Sequence, residues 1–108
     1  MLTRMEEIIL LAVRKSEPEA YGLAVKLKVS DLLKKEVSVP TVYVPLKRLA
    51  KSGYLRSWQS DPTPTRGGRR TRYYALTEPG YAALEEVRSI HNACWSNLPV
   101  RPGLALER

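Results

Sequence analysis

The net charge of this chain is concentrated in one segment, residues 38–76. The 108-residue sequence has a net charge of +7; this segment contains eight Lys and Arg residues and one Asp, whereas the remainder has ten basic and ten acidic residues. The segment also contains a helix-like pattern, two strand-like patterns and a loop with Gly and Arg. Local positive charge on such elements is typical of a surface that follows a phosphate backbone. Nucleic acid is therefore the first partner to consider.

Length and composition predict one small domain with a modest core, since 44% of the residues are hydrophobic. The single cysteine, Cys94, excludes an internal disulfide and a multi-cysteine metal site, which is typical of a reducing cytosol. No segment is apolar over the roughly 18 residues of a membrane span, and Glu6 and Glu7 interrupt the region where a signal peptide would be apolar. We expect a cytoplasmic protein with no metal, cofactor or membrane partner.

Two helices are predicted before the basic segment. Residues 2–15 have apolar side chains at spacings of three and four, with Thr3 as the N-cap. Residues 16–20 are predicted to turn, and residues 21–35 to form the second helix. The face of this helix that is expected to pack on the first consists of Tyr21, Val25, Val29 and Leu32.

A third helix is predicted from Ser38, a suitable N-cap, to about residue 52, where Gly53 ends it. Pro45 lies inside this helix and is expected to kink it, because its ring clashes with the preceding turn. The predicted buried stripe consists of Val42, Leu46 and Leu49. The opposite side carries Val44, Lys47, Arg48 and Lys51.

Residues 54–58 and 72–76 are predicted to be two strands joined by a long loop, followed by a fourth helix that Thr77 caps. This helix carries an apolar stripe of near-heptad spacing, longer than a core of this size can cover. The stripe consists of Leu84, Val87, His91, Cys94 or Trp95, and Leu98. Three helices followed by a hairpin with a basic loop is the order of elements in a winged helix-turn-helix, whose third helix enters the major groove.

The expected fold is thus mainly α with a small β-hairpin (α+β), a winged helix-turn-helix with a C-terminal dimerisation helix. The expected DNA-binding domain is residues 1–76 and the dimerisation helix is residues 77–98. The tail, residues 99–108, is expected to be disordered.

Several motifs resemble the PadR-type transcriptional regulators. They are Tyr21-Gly22, residues 38–49 (SVPTVYVPLKRL), residues 52–55 (SGYL), and residues 72–77 (RYYALT) followed by Gly80. The segment Pro62-Thr63-Pro64 with residues 66–69 (RGGR) resembles the wing of one branch of that family. One departure is Val44, which stands between Tyr43 and Pro45 where the family commonly has proline directly after the tyrosine.

The resemblance implies a homodimeric repressor of the short form of the family, which binds a palindromic double-stranded DNA operator. The last helix and helix one of the partner would build the dimer interface. The expected interface residues are Met5, Ile9, Leu84, Val87, His91, Cys94, Trp95 and Leu98. The resemblance also implies a possible planar apolar or phenolic effector.

The expected DNA-binding residues come from the third helix and the loop of the hairpin. Basic residues on a helix usually form a solvated face, but the charge concentration in this segment favours DNA contact. Tyr43 is either a hydroxyl donor to DNA or half-buried. The set consists of Ser38, Thr41, Tyr43, Val44, Lys47, Arg48, Lys51, Arg66, Arg69 and Arg70.

Trp95 has two interpretations, an anchor of the dimer interface or, with His91, the wall of a ligand site. His91 is expected to be a packed or rim residue rather than a metal ligand, because the chain has no second histidine. An enzyme is not expected, since nothing supplies an oxyanion site or an orienting third group for a His91 and Cys94 pair. The alternative functions are a winged-helix module that binds an acidic protein partner or RNA.

Overall fold

The computed structural model describes residues 1–60 and 70–98. The elements are α1 (Arg4–Ser16), α2 (Gly22–Leu33), α3 (Val39–Lys51), β1 (Leu55–Gln59), β2 (Arg72–Leu76) and α4 (Glu78–Trp95). The two strands form one antiparallel sheet. The predicted class, mainly α with a small hairpin, is confirmed.

Helix α1 is fixed at its start by reciprocal hydrogen bonds. The Oγ1 of Thr3 accepts the N–H of Glu6 at 3.1 Å, and the Oε1 of Glu6 accepts the N–H of Thr3 at 2.8 Å. This capping box satisfies two N–H groups that the start of a helix leaves without partners. The face of α1 that is fully buried packs among α2, α3, β2 and α4. It consists of Ile9, Leu10, Ala12 and Val13.

Helix α2 packs on the core through Val25 and Val29, as predicted. Leu32 was expected on the same face, but this prediction is wrong: Leu32 is exposed, and Leu33 packs against the core instead. The buried row follows a spacing of four, from residue 25 to 29 to 33, so residue 32 faces solvent. The helix ends at Lys34, which adopts a left-handed φ of 59°.

Helix α3 begins at the predicted cap, where the Oγ of Ser38 accepts the N–H of Thr41 at 3.3 Å. Its inner side is buried as predicted, and Pro45 is buried with it. The helix nevertheless continues through Pro45 from Val39 to Lys51. Burial of the proline ring in the core compensates in part for the helical hydrogen bond that the proline cannot donate. The buried side consists of Val42, Pro45, Leu46 and Leu49.

The hairpin matches the prediction to within one residue at each strand end. Leu55 lies opposite Leu76, and Trp58 lies opposite Tyr73. Leu55 and Leu76 are buried, so this end of the hairpin closes the core beside the helices. Residues 61–69 of the predicted loop lie outside the described residues.

A third extended segment lies against β2 and was not predicted. The carbonyl of Ala20 accepts the N–H of Tyr74 at 2.8 Å, and Tyr21 forms an antiparallel bridge with Tyr73. This pairing attaches the start of α2 to the hairpin. The two elements therefore hold a fixed position relative to one another.

Helix α4 starts at the predicted cap, where the Oγ1 of Thr77 accepts the N–H of Gly80 at 3.1 Å. The hydroxyl of Thr77 also donates to the carbonyl of Gly53 at 2.6 Å, which ties α4 to the end of α3. The helix ends at Trp95 rather than at residue 98, because the chain turns at Asn97, which has a left-handed φ of 62°. The predicted helix end was three residues too late. None of the helices within residues 1–60 and 70–98 has the length and hydropathy of a membrane span.

Gly80 allows α4 to approach the turn before β1. A Cβ at this position would overlap the carbonyl oxygen of Tyr54 and would also contact Leu76. The same carbonyl accepts the N–H of Thr77 at 3.2 Å, so the backbone there is already held. The start of α4 thus packs closer to the hairpin than a residue with a side chain permits.

We therefore expect Gly80→Ala to destabilise the fold, although alanine is normally the better helix former. The added methyl group meets backbone rather than a flexible side chain, so the cost should be about 1–3 kcal/mol or more, as for other overpacked sites. Urea unfolding followed by circular dichroism measures the change. Ser89→Ala, at an exposed position of the same helix, is the control and should change stability by less than about 0.5 kcal/mol. Equal stability of Gly80→Ala and wild type would contradict the packing described.

Candidate nucleic-acid interface

The outer side of α3 presents one continuous exposed row. Spacings of four, three and four put its members within a narrow sector of the helix surface, opposite the buried side. All of them are exposed, and the two lysines lie in the C-terminal half of α3. The row consists of Pro40, Val44, Lys47 and Lys51.

The charges of this row have no carboxylate partner in the described part of the chain. Among residues 1–60 and 70–98, no carboxylate forms a salt bridge with Lys47 or Lys51. Arg48 differs, because it lies at the edge of the row and its Nε is 3.5 Å from Glu6 Oε2 on α1. Helical spacing puts Lys47, Arg48 and Lys51 on one side of α3. In the structure, Arg48 differs from the two lysines because it contacts Glu6.

Tyr43 flanks the other edge of the row. Its ring lies over Gly22 at the start of α2, so that a Cβ at residue 22 would be 2.8 Å from the tyrosine oxygen. The ring is nevertheless 41% exposed, and the predicted hydrogen bond from its hydroxyl to DNA stays a prediction. Gly22 thus determines where the phenol of Tyr43 lies.

Tyr74 of β2 lies beside this edge. Burial raises the pKa of its hydroxyl above the usual value; the nearby positive charge of Arg72 lowers the pKa and the neighbouring Tyr43 raises it. Tyr74 therefore stays protonated at neutral pH. The arrangement brings the phenols of Tyr43 and Tyr74 close to the cation of Arg72.

Ser38 and Thr41 form the N-terminal end of the candidate interface. Their hydroxyl oxygens are 2.6 Å apart and share a hydrogen bond, in which either can be the donor. Ser38 also caps the helix, so its oxygen is committed to the protein. Thr41 is half-buried. The pair presents polar atoms next to the first turn of α3.

The hairpin adds arginines to the same region of the fold. Arg70 is exposed, and the Nη1 of Arg72 donates to the Oγ of Ser57 at 2.7 Å. The predicted contacts Arg66 and Arg69 lie outside the described residues. The described part of the hairpin therefore places positive charge at the end where the strands leave the core.

The aromatic residues of the hairpin pack on one another. Trp58 stacks on Tyr73 with ring centroids 6.0 Å apart, and Tyr73 meets Tyr21 edge-on at 6.1 Å. The guanidinium of Arg56 lies 4.6 Å from the ring centroid of Trp58. A stacking platform for single-stranded bases requires rings whose faces are open, and these faces are occupied. These rings therefore pack within the hairpin and against the start of α2.

A second candidate surface lies between α1 and α4. The Nε2 of His91 is 3.2 Å from the Oε1 of Glu7, which Arg4 approaches at 3.8 Å from the other side. A groove of about 350 Å³ lies next to this pair. Its lining combines apolar and charged side chains: Glu7, Leu11, Tyr81, Leu84, Glu85, Arg88 and His91.

Two residues expected at a dimer interface do not offer surface to a partner. Ile9 is fully buried in the core of a single chain, and Val87 is 4% exposed. Both residues pack within the protomer. Sequence periodicity does not distinguish apolar residues of this kind from those of a dimer interface. Leu11 and Ile90 are exposed on the same two helices and were not predicted.

The end of α4 carries the exposed apolar side chains. Trp95 is 55% exposed and borders a groove with Leu11, Ile8 and His91. Cys94 and Leu98 are also exposed. Of the other expected interface residues, Met5, Leu84 and His91 are half-buried. Within the described residues, no group of three or more His, Cys, Asp or Glu side chains is placed to hold a metal ion.

Comparison with known proteins identifies the family. The sequence model of the family described as "Transcriptional regulator PadR-like family" matches residues 9–86, from the middle of α1 to the middle of α4. The chain belongs to the PadR-like family. The resemblance inferred from the motifs is thus confirmed. No curated protein matches the sequence.

Solved structures agree with this assignment. A PadR family transcription regulator from Clostridium difficile is 25% identical, with a TM-score of 0.70 over 85% of this chain and 91% of that chain. A PadR-like transcription factor from Bacteroides fragilis is 24% identical, with a TM-score of 0.70 over 83% and 82% of the two chains. RosR from H. salinarum is 23% identical, with a TM-score of 0.68 over 91% and 81%. The predicted winged-helix fold is therefore confirmed.

The family assignment makes the chain a DNA-binding regulator of transcription and not an enzyme. The structure adds two residues that motif reasoning did not assign to the site, Glu6 beside Arg48 and Gly22 beneath Tyr43. The Thr3-x-x-Glu6 spacing of a capping box was visible in the sequence. The contact of Glu6 with α3 was not, because about forty residues separate the partners.

Proposed function

We propose that this PadR-like chain is a homodimeric repressor that binds a palindromic double-stranded DNA operator through α3. The exposed row of α3 carries the proposal, since Lys47 and Lys51 lie there without a carboxylate partner among the described residues. A helix with such a row fits the major groove, whose width admits one α-helix. A two-fold dimer would present two such helices to half-sites about one helical turn apart.

Each part of the row has a distinct proposed role. Lys47 is central and would reach base edges, while Lys51 and the arginines of the hairpin loop would contact phosphates. Thr41 and Tyr43 would donate hydroxyl hydrogen bonds to phosphates or base edges, and the methyl groups of Val44 would meet thymine methyl groups. Base contacts discriminate between sequences and phosphate contacts do not, so substitutions at Lys47 and Lys51 should differ in effect.

Lys47→Ala should weaken operator binding by about 1–3 kcal/mol and weaken binding to a scrambled duplex much less. Lys51→Ala should weaken both by similar factors and reduce the salt slope by about one unit for each protomer. Fluorescence anisotropy with a palindromic duplex, such as an inverted repeat upstream of the chain's own gene, measures these affinities. Lys15→Ala removes the same charge from the end of α1 and should leave the ratio of the two affinities unchanged.

The same titrations separate DNA binding from the alternatives. A module that binds RNA or an acidic protein would not prefer the palindromic duplex over the scrambled one, whatever its salt dependence. If Lys47→Ala and Lys51→Ala left every duplex affinity unchanged, the assignment of α3 would be wrong.

The proposed dimer rests on the surface between α1 and α4. Trp95 and Leu98 expose large apolar side chains there, in continuity with the half-buried Leu84 and His91. Clustered exposed apolar residues mark interaction sites in soluble proteins, and large aromatic residues often dominate the binding energy. Association of α4 with α1 and α4 of a second copy would cover these side chains.

Sedimentation equilibrium should therefore give about 24 kDa at micromolar concentration, since a two-fold dimer contains two chains of 12.2 kDa. Trp95→Ala should raise the dimer dissociation constant. If Trp95 is a hot spot, the free energy of association should weaken by about 2 kcal/mol. The control, Trp58→Ala, removes the indole of the hairpin instead. This variant should still sediment as a dimer. A monomeric wild type would contradict the dimer.

A planar apolar or phenolic effector is proposed to relieve repression. The supporting observation is that Trp95, 55% exposed, borders a groove of about 370 Å³ with His91 on the proposed dimer face. A flat ring that stacked on Trp95 at the two-fold axis would change the spacing of the two α3 helices. Its binding would then oppose operator binding, because coupling between two sites is reciprocal.

The effector proposal is tested in a Trp58→Tyr background, in which Trp95 is the remaining tryptophan. Planar aromatic compounds should quench its fluorescence in a saturable manner, and operator DNA should weaken that binding. If Trp95 is only an interface anchor, the emission should be blue-shifted and no compound should quench it. That result would remove the effector from the proposal and leave the dimer.

A further inference from the structure

Arg48 is held differently from the other cations of α3. Its Nε lies 3.5 Å from the Oε2 of Glu6, and this is a contact between α3 and the first turn of α1. The carboxylate end is sheltered, with 17% of the Glu6 side chain exposed, whereas 55% of the Arg48 side chain is exposed. The anion is thus fixed in the protein, and the cation lies at the border of the DNA-facing row.

The capping box of α1 fixes the direction of the Glu6 carboxylate. One oxygen, Oε1, accepts the N–H of Thr3, so the second oxygen is directed toward Arg48. The pKa of Glu6 is lowered, first by the hydrogen bond from the Thr3 backbone and further by the positive charge of Arg48. Glu6 is therefore an anion under all conditions in which DNA binding would be measured. No rearrangement is needed to present this charge to α3.

An ion pair of this exposure is weak. Partly solvated pairs contribute from nearly zero to about 1 kcal/mol, so the contact of Glu6 with Arg48 adds little to the stability of the fold beyond what the capping box supplies. A cation near DNA contributes in another way, since each neutralised phosphate adds about 0.9 to the slope of log K against log salt concentration. Whether Arg48 contacts Glu6 or a phosphate therefore changes binding to every DNA sequence.

We propose that Glu6 is a specificity-determining residue that acts through Arg48, keeping this guanidinium on the protein and away from the phosphate backbone. The inference rests on the proposed function, DNA binding through α3. Binding to non-operator DNA depends on phosphate contacts, whereas operator binding also depends on base contacts. Withholding one cation therefore reduces non-operator binding without loss of a base contact. Glu6 in this account is a positioning residue and does not itself contact DNA.

Glu6→Gln is the decisive variant because it removes the charge and retains the cap. Glutamine at this position of a capping box also accepts the N–H of Thr3, so the variant should fold with nearly the stability of wild type. Its salt slope for a scrambled duplex should steepen by about one unit for each protomer, so its gain in affinity over wild type should be largest at 50 mM salt and shrink by roughly threefold per protomer at 200 mM. The ratio of operator to scrambled affinity should fall.

Two further variants assign the effect to Arg48. In an Arg48→Gln background, Glu6→Gln should no longer steepen the salt slope, because there is no guanidinium to release. Arg48→Gln alone should leave the affinity for scrambled DNA close to that of wild type. Glu86→Gln, an exposed position of α4, makes the same change in net charge and should not alter the slope.

Three outcomes would overturn the inference. The first is an unchanged salt slope in Glu6→Gln, and the second is an equal effect of Glu6→Gln with and without Arg48, which would indicate a general charge effect. The third is a loss of about one unit of slope per protomer in Arg48→Gln alone, which would place Arg48 on a phosphate in wild type. Failure of wild type to bind any duplex would instead refute the proposed function, so the two failures are distinguishable.

Discussion

Burial of one face of α1 is the constraint on which the rest of the structure depends. A 13-residue helix is marginally stable in water on its own, so packing must supply its stability. Each of its larger buried side chains contributes about 1.5–3 kcal/mol by leaving water. Because α2, α3, β2 and α4 all pack on this helix, each of them is positioned relative to the others through α1. The orientation of α3, the proposed DNA-binding helix, thus depends on α1.

The polar residues of α1 also contact more than one element of the fold. Glu6 and Glu7 are adjacent in sequence, but Glu6 contacts Arg48 on α3 and Glu7 contacts His91 on α4. Successive residues of a helix point about 100° apart, so two neighbouring carboxylates reach two different elements. One turn of α1 therefore contacts both the proposed DNA-binding surface and the proposed dimer surface. A shift of α1 would therefore move side chains at both of these surfaces.

Local signals in the sequence were sufficient for most of the fold. Ser38 and Thr77 marked helix starts because a capping hydroxyl acts within three residues, and the exposed side of α3 followed from helical spacing. Long-range contacts were not predictable in this way. The pairing of Tyr21 with Tyr73 joins residues far apart in the chain, and burial of Ile9 within the protomer depends on which elements pack around it. Periodicity identifies an apolar face and does not identify what covers it.

The contact of Tyr43 with Gly22 means that α3 cannot be moved to another protein with its surface unchanged, because the position of Tyr43 depends on a residue of α2. Grafting the sequence of α3 onto another winged helix would carry Tyr43 along but not the missing side chain at residue 22 that makes room for its ring. A recipient with any larger residue there would push the phenol toward the DNA side or away from it. If Tyr43 contacts DNA as proposed, a substitution at residue 22 of α2 would change the DNA preference while every residue on the exposed row of α3 stayed the same.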